Sequence, residues 1–496
     1  MRRCRRPSIL ARGAAAPSQW LVSRRGAVRA PGFRQRLHVS RLRHRPQRRG
    51  FRSERRPAGK QAVIGPFLRK LSANRSHSHK LLAVGVPPKL TAMLNRNDDG
   101  EEPDSSRWPS VIRSSTKIAP ELSIWLDAIR GLAAVAVVLS HINKLMYSQA
   151  SMPAEGAAVK AAYTIVNIAS SFGHSAVIMF FALSGYLVGG GATVRSIRGQ
   201  QQLVPYAVAR AARIGTVLLP GLAVTAATTL VALHFFDLTG FIAHRANFYP
   251  AGADIAGSLG LRVALCNVAS LQMIACNQYG LNVSLWSLSN EVIYYVLFGV
   301  LLIGRWWSVV LFVASVLALS QVEGIEPNDL DRASIYLVGL LIWLLAAALF
   351  AVDKAHISLR LGVGAAVLCI LLAAVLLNPM RPGVGRDLLI GLCSLGALFL
   401  LEKGRLRSHL VERLGVQRLA PFSFTLYLIH FPVVQLVLCA LSTAPFNQSA
   451  TSLAVQVVVF AAALVFAYAL YLVSEAHTER VRGWMLRAVT VRQRHL

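Results

Sequence analysis

Ten apolar segments follow one another between residues 124 and 474, and each is long enough, or nearly so, to cross a bilayer as a helix. Of the 496 residues, 54% are hydrophobic and only 15% are charged, so a soluble domain could not cover this much apolar surface. The pattern predicts an all-α polytopic membrane protein with about ten transmembrane helices. The predicted spans are 124–147, 165–190, 212–236, 285–303, 305–321, 333–352, 358–378, 385–401, 419–442 and 451–474.

The basic residues between these segments predict which side faces the cytoplasm. If the N-terminus lies inside, the basic loops 191–211 and 402–418 both fall on the inner side, as does the basic tail 477–496. The outer loops 322–331 and 443–450 contain neither Lys nor Arg. Both termini are therefore predicted to be cytoplasmic.

Most of the formal charge of +31 comes from the N-terminal tract. Residues 1–97 contain 25 Lys and Arg against the single acid Glu54, whereas the rest of the chain carries 28 basic and 21 acidic residues. The tract has no helical or strand periodicity, which predicts a basic, disordered extension over 1–119. An arm for nucleic acid or anionic lipid is the less favoured alternative, so no nucleic-acid partner is expected. We expect residues 1–92 to be dispensable, with Met93 as a more ordinary start.

The first predicted span carries ionisable side chains that a bilayer disfavours. In WLDAIRGLAAVAVVLSHINK, Arg130 and His141 stand eleven residues apart. This spacing returns them to nearly one helix face, about 16 Å apart along the axis. Asp127 could simply neutralise Arg130, three residues later, but this leaves His141 unexplained. The stripe predicts a polar channel or cleft, with Arg130 and His141 as catalytic candidates.

Polar residues at the inner ends of later spans can join this stripe. Arg210 and Arg213 lie three apart at the inner end of the third span, where positive-inside anchoring is the alternative explanation. Glu475 closes the last span and could pair with an arginine there.

Three further candidates lie nearer the middle or the outer side. Glu291, at a depth comparable with His141, would orient the histidine ring and raise its basicity, or would reach outward to the interface. His430 lies in the middle of the ninth span, where a lone histidine more often hydrogen-bonds a neighbouring helix than catalyses. His174, at the outer end of the second span, is a substrate contact or has no role.

Cys266 and Cys276 are the two of six cysteines that fall in a predicted outer loop, 237–284, where a disulfide can persist. A bridge closing so short a loop would contribute about 3 kcal/mol in the entropic model. Two thiols facing a buried helical segment are the equally open alternative.

No Cys and His spacing typical of a metal site occurs, so no metal is expected, and the run VGGGATV lacks the Lys of a phosphate loop.

Six motifs together resemble those of the membrane acyltransferase 3 family. LDAIRGLAAVAVVLSH resembles its Arg-x10-His signature, and five later motifs follow in the family's order. The resemblance covers roughly residues 120–476, between the N-terminal extension and the short tail. The later motifs are FFALSGYLV, RAARIGTVLLPGL, SLWSLSNEVIYYV, FSFTLYLIHFPVV and YLVSE.

The resemblance implies transfer of an acyl group, usually acetyl from acetyl-CoA, to a carbohydrate hydroxyl. It implies that His141 is the essential histidine, Arg130 its partner, and Arg210 and Arg213 the donor-binding Arg-x-x-Arg pair. Many members carry an acidic residue where this chain has Ile178. The GHSAV before this position is more similar to the branch that modifies exopolysaccharides and nodulation factors. Residues with a substrate-binding or structural role in this interpretation are His174, Ser184, Trp286, His430 and Glu475.

We therefore expect an O-acetyltransferase of the bacterial cytoplasmic membrane, with acetyl-CoA as donor and a carbohydrate or glycolipid as acceptor. Membrane lipids are the other expected partners, and the oligomeric state is left open. Transfer of a succinyl or other acyl group, or a small-molecule acceptor, is the closer alternative. A transporter is the more distant one, because the sequence contains no detectable internal repeat.

Overall fold

The computed structural model describes residues 112–493 with several gaps, and the described residues belong to one compact unit. The predictions for the tract 1–111, for the loop 322–331 and for most of the span 358–378 lie outside the described residues. The positions left out between 112 and 493 are 114, 149–150, 152–155, 201, 250–251, 273, 321–331, 354–363, 365–366, 369–382 and 405–406.

The described chain is almost entirely helical, which confirms the predicted all-α class. Within the described ranges, 6 helical stretches are long and apolar enough to cross a membrane, and three shorter apolar helices accompany them. Each of these stretches overlaps one predicted span. No strand forms in this part of the chain, where two isolated bridges are present instead. The protein is thus a multi-pass membrane protein, while the count of ten spans and the orientation of the termini remain predictions.

The principal helices are numbered here in chain order. They are α1 (Pro120–Met146), α2 (Ala157–Ser171), α3 (Gly173–Ser184), α4 (Gly190–Ile197), α5 (Leu203–Phe235), α6 (Leu238–Ala243), α7 (Leu261–Val268), α8 (Leu285–Leu301), α9 (Trp306–Ser320), α10 (Arg332–Ala351), α11 (Val384–Gly404), α12 (His409–Leu414), α13 (Ser423–Leu441), α14 (Ala450–Val473) and α15 (Thr478–Gln493).

Helix α1 lies at the centre of the bundle and joins its two buried clusters. Val137 packs in one cluster with side chains of α3, α8, α10 and α11. Val138, the next residue, packs in the other with side chains of α5, α13 and α14. Neighbouring residues on a helix point in directions about 100° apart, so an apolar helix buried on most sides can serve both clusters. This central position fixes Arg130 and His141 inside the bundle.

A run of glycines lets the chain between α3 and α4 approach α10 closely. Here the helix makes a π-helical turn, Gly185–Gly189. A Cβ atom at Gly185 would collide with the backbone of Trp343, and one at Gly190 would collide with Phe350. The glycine run is therefore a helix-packing surface. The π-turn directly follows Ser184, consistent with the tendency of such turns to occur at functional sites.

The folded region extends beyond both predicted boundaries of the membrane domain. Arg113, before α1, donates through Nη1 to Glu402 Oε1 at 2.9 Å and through its backbone N–H to the carbonyl of Ala351 at 2.9 Å. At the other end, the Thr478 and Thr216 hydroxyls lie 2.9 Å apart and join α15 to α5. The tail predicted at 477–496 thus contains a helix that packs on the bundle.

Residues 237–284, here called the cap segment, fold over the end of the bundle at which α1 and α13 finish. Buried Arg245 donates to the carbonyls of Leu145 at 3.0 Å and Thr443 at 2.8 Å, near the last turns of these helices. Desolvation lowers the pKa of Arg245 to about 10, so the side chain is still charged at neutral pH. A cation at helix C-termini is favourable. A disulfide joins Cys266 to Cys276, whose Cα atoms are 6.4 Å apart.

Substitution of Gly185 by Ala should destabilise the protein because the added methyl group has no room against Trp343. We expect a loss of about 1–3 kcal/mol and a lower midpoint of thermal unfolding in detergent. Gly215→Ala is the matched control, since no heavy atom lies within 4 Å of a Cβ at that helical glycine and alanine favours helix. Equal midpoints for the two variants would contradict the close packing.

An impermeant maleimide applied to intact cells should label Cys266 and Cys276 only after a reductant is added. The disulfide protects both thiols, and the predicted topology places them outside. Labelling without reductant would contradict the bridge, and absence of labelling after reduction would contradict the outer position. The double variant Cys266→Ser/Cys276→Ser is the control, because the remaining thiols of the described residues, Cys393 and Cys439, are buried.

Candidate active site

A cavity of about 550 Å³ lies between α1, α3, α5, α8, α13 and the beginning of α15. It brings together six residues that the sequence analysis identified separately: Arg130, Ser184, Arg210, Arg213, Glu291 and Glu475. Its wall also contains polar side chains that were not identified from the sequence, among them Ser287, Tyr295, Tyr427 and Arg482.

Arginines concentrate at the end of the cavity formed by Arg130 of α1 and the residues after α14, here called the arginine end. Arg213 Nη1 pairs with Glu475 Oε1 at 2.6 Å, and the Glu475 side chain is only 1% exposed. The other carboxylate oxygen accepts from the N–H and hydroxyl of Thr425 at 3.1 and 2.7 Å. The expected pairing of Glu475 with an arginine is thus present, and Glu475 holds Arg213 in place.

Arg130 combines the two roles that the sequence left open. Its Nη2 lies 3.2 Å from Asp127 Oδ1 and 3.3 Å from the carbonyl oxygen of Ala420. The same side chain lines the cavity, and its buried Nε has no hydrogen-bond partner among the described residues. Partial neutralisation by Asp127 therefore does not remove Arg130 from the site.

Glu291 is the centre of a polar group on the cavity wall. Its Oε1 accepts from the Ser184 hydroxyl at 2.9 Å and from the Tyr295 hydroxyl. The Trp343 indole N–H donates to Ser184 Oγ at 3.1 Å. The guanidinium carbon of Arg210 lies 5.6 Å from the centre of the Tyr295 ring. This group offers both donors and a carboxylate to a ligand in the cavity.

The expectation that Glu291 orients His141 is not met in the structure. Ser287, one turn before Glu291 on α8, hydrogen-bonds Tyr427 of α13, so these two residues lie at one level of the bundle. From this level, Glu291 lies one turn toward the arginine end, whereas His430 lies nearly one turn toward the cap segment. The two offsets place Glu291 about 10 Å short of the histidines along the bundle. The cause is the start of α8: Leu285 is 0% exposed, and its carbonyl accepts from Nε2 of Gln272 in the cap segment at 2.8 Å.

His141 is instead paired with His430 across the interface of α1 and α13. The distance from His141 Nδ1 to His430 Nε2 is 2.7 Å, and the ring centroids stack 5.0 Å apart with an interplanar angle of 6°. His430 is 0% exposed, whereas His141 is half-buried. From the sequence, His430 was interpreted as a histidine that hydrogen-bonds a neighbouring helix. Its partner on that helix is His141.

The hydrogen bonds of this pair determine its tautomers when both rings are neutral. His430 Nδ1 lies 2.7 Å from the carbonyl oxygen of Tyr427, which can only accept, so Nδ1 carries the proton. His430 Nε2 then accepts from the Nδ1–H of His141. The remaining nitrogen of His141, Nε2, carries the lone pair and has no hydrogen-bond partner within the described residues. This arrangement presents a base to a substrate.

Aromatic rings surround the histidine pair, and one of them, Tyr427, also lines the cavity. The rings of Phe248, from the cap segment, and Phe431 meet His141 edge to face at 6.0 and 4.9 Å. Tyr427 forms part of the cavity wall and hydrogen-bonds Ser287. The ring centroid of His430 lies 6.1 Å from that of Tyr427, so the histidine pair adjoins the part of the cavity wall that Tyr427 forms.

Two other predicted residues lie outside this cavity. His174 Nε2 lies 2.8 Å from Oδ1 of Asp387, a carboxylate of α11 that is 3% exposed. Trp286 is half-buried and packs against the first cluster. The pairing of His174 was missed, although an acid at the start of a predicted span gave a usable signal. In the part of the chain described, no three His, Cys, Asp or Glu side chains are arranged to hold a metal ion.

Comparison with known families gives one match that covers most of this architecture. A family model described as "Acyltransferase domain" (Acyl_transf_3) matches residues 123–472, which include Arg130, His141, Glu291 and His430. The comparisons with curated proteins and with solved structures found no match. Since the matched region is well over half of the chain, the protein belongs to the membrane acyltransferase 3 family.

Proposed function

We propose that this protein moves an acetyl group from acetyl-CoA to a hydroxyl group of a cell-surface or lipid-linked carbohydrate in the cytoplasmic membrane of a bacterium. The observation that carries this proposal is the hydrogen-bonded pair of His141 and His430, which contacts Tyr427 in the wall of an arginine-lined cavity. With both rings neutral, a lone pair remains on His141 Nε2. In the proposed topology of ten spans with cytoplasmic termini, the arginine end faces the compartment that contains acetyl-CoA.

The cavity suits the donor in both charge and shape. Guanidinium groups bind phosphate through paired, charge-assisted hydrogen bonds, so Arg130, Arg210 and Arg213 hold the anionic part of CoA. The narrow pantetheine arm then runs along the wall past Glu291 and Ser184, which can exchange hydrogen bonds with its amide groups. This replaces the expected role of Glu291 as a partner of His141. Tyr427 stands between the thioester and the histidine pair, and its side chain has to turn aside for transfer.

His141 supplies the base for the chemical step. Nε2 accepts the proton of the acceptor hydroxyl while the hydroxyl oxygen forms a bond to the thioester carbonyl carbon. The carbon–sulfur bond then breaks, and the imidazolium returns its proton to the departing thiolate. Transfer through a transient acyl-histidine would use the same nitrogen. His430 acts as a positioning residue, because it fixes the proton on Nδ1 of His141.

The two alternative functions that the sequence left open are not equally supported. Family membership supports acyl transfer over transport of a polysaccharide or lipid. Transfer of a succinyl group, or a small-molecule acceptor, involves the same base and cavity and differs only in the groups bound. Mass analysis of envelope polysaccharide from cells with and without the protein separates these possibilities. An acetyl mass difference supports the proposal, a succinyl difference replaces the donor, and altered export with unchanged modification would overturn it.

His141→Ala and Arg130→Gln should fail in different ways. Loss of the base should lower kcat on the order of 10²–10⁴-fold while acetyl-CoA still binds. Loss of a phosphate contact should weaken donor affinity by about 1.5–3 kcal/mol, and a higher acetyl-CoA concentration should partly restore turnover. Isothermal titration and turnover of the purified protein measure both effects.

The matched control for this pair is Asp127→Asn, which removes the neighbour of Arg130 without removing the guanidinium. If Arg130→Gln and Asp127→Asn both lower only abundance and leave donor affinity unchanged, Arg130 is a structural partner of Asp127. Full turnover in His141→Ala would overturn the mechanism.

His430→Leu should lower kcat roughly 10²-fold without changing the donor KM, because His141 loses the acceptor that fixes its tautomer. His430→Gln should retain most of the turnover, since its side-chain oxygen can accept from the Nδ1–H of His141. Steady-state kinetics on both variants, at matched abundance, provide the measurement. Equal loss in both would show that packing, and not the hydrogen bond, is what His430 contributes.

A further inference from the structure

Three arginines from separate helices lie near one another at the arginine end of the cavity. Arg195 of α4 lies close enough to Arg210 of α5 and Arg482 of α15 for their charges to interact. Arg210 and Arg482 both line the cavity. Arg210 precedes Arg213 by three residues on α5, which places it about 4.5 Å nearer the arginine end.

The protein itself offers this group little compensating charge. Arg482 pairs with Glu479, nearly one turn earlier, at 3.1 Å, but the Glu479 side chain is 81% exposed. Exposed pairs of this kind contribute little. Arg195 has no ion pair within the part of the chain that is described, and the buried Nε atoms of Arg210 and Arg482 have no hydrogen-bond partner there. Like charges repel at short distance, so a bound anion would stabilise the group.

The position of Arg482 depends on how α15 is attached. The hydrogen bond between Thr478 and Thr216 fixes the first turn of α15 against α5. Arg482 follows one turn later and therefore faces the same groove as Arg210. The helix that the sequence analysis treated as a basic tail thus contributes a side chain to the cavity.

We propose that Arg195, Arg210 and Arg482 form a subsite for a phosphate group of the acyl donor, namely the phosphate farthest from the thioester. For a CoA thioester this is the phosphate on the ribose, and the identity of the donor rests on the proposed function. The phosphate of a bilayer lipid headgroup has the same chemistry. The donor is the better occupant, because Arg210 and Arg482 face the cavity and not the outer surface of the bundle.

Donor affinity of the full-length protein tests this subsite, with acetyl-CoA and acetyl-3′-dephospho-CoA as the two probes. The wild type should bind acetyl-CoA about tenfold more tightly than acetyl-3′-dephospho-CoA, because the second probe lacks the phosphate that makes the charge-assisted contact. Arg195→Gln and Arg482→Gln should each bind both probes with the same weak affinity, because the contact that distinguishes the probes is lost. Arg487→Gln, an exposed arginine on α15 outside the cavity wall, is the control and should behave as the wild type.

The remaining outcomes each reject one statement. If both variants keep the wild-type preference at unchanged thermal midpoints, the subsite is wrong and the proposed function stands. If their affinity loss appears only in vesicles of anionic lipid, and not in zwitterionic vesicles or detergent, the arginines bind lipid headgroups instead. If the wild type binds neither probe, the proposed donor is wrong and the subsite falls with it.

Discussion

The hydrogen bond between His141 and His430 is the interaction on which the rest of the site depends. An isolated polar ring inside a membrane helix would lose its hydrogen bonds to water, at a cost of several kcal/mol. Here each histidine satisfies the other, and the chain of bonds ends on the carbonyl of Tyr427. No carboxylate takes part in this chain of hydrogen bonds, so a base can lie in the bundle without a buried charge.

Charge is separated from this base along the length of α1. The cations Arg130 and Arg213 lie at one end, where Asp127 and Glu475 partly neutralise them. The imidazoles lie about 16 Å away along the axis. An acyl donor that carries its negative charge at one end and its reactive thioester at the other matches this separation. A charged base in the same place would require a counter-ion that the surrounding aromatic rings do not supply.

The sequence predicted the elements of this architecture better than their mutual arrangement. Apolar length located the nine apolar helical stretches found within the described residues, and the spacing of Arg130 and His141 predicted both on one helix face. It could not show that His430 faces His141, because hydropathy gives the depth of a residue but not its direction. For Glu291, the predicted level relative to His141 was wrong. Its helix, α8, starts under the cap segment and so carries Glu291 toward the arginine end. Arg482 was missed because a basic tail looks the same whether it is solvated or packed.

The cap segment completes the division between the two ends of the molecule. Arg245 attaches it to the ends of α1 and α13, and Phe248 from this segment contacts the ring of His141. The base is therefore held by two helices but covered by an irregular segment. In the proposed mechanism, helices fix the cavity that binds the donor and the nitrogen that acts as the base. The acceptor has to reach His141 from the capped side in the proposed mechanism, so residues of the cap segment contribute to acceptor selection without altering the chemical step.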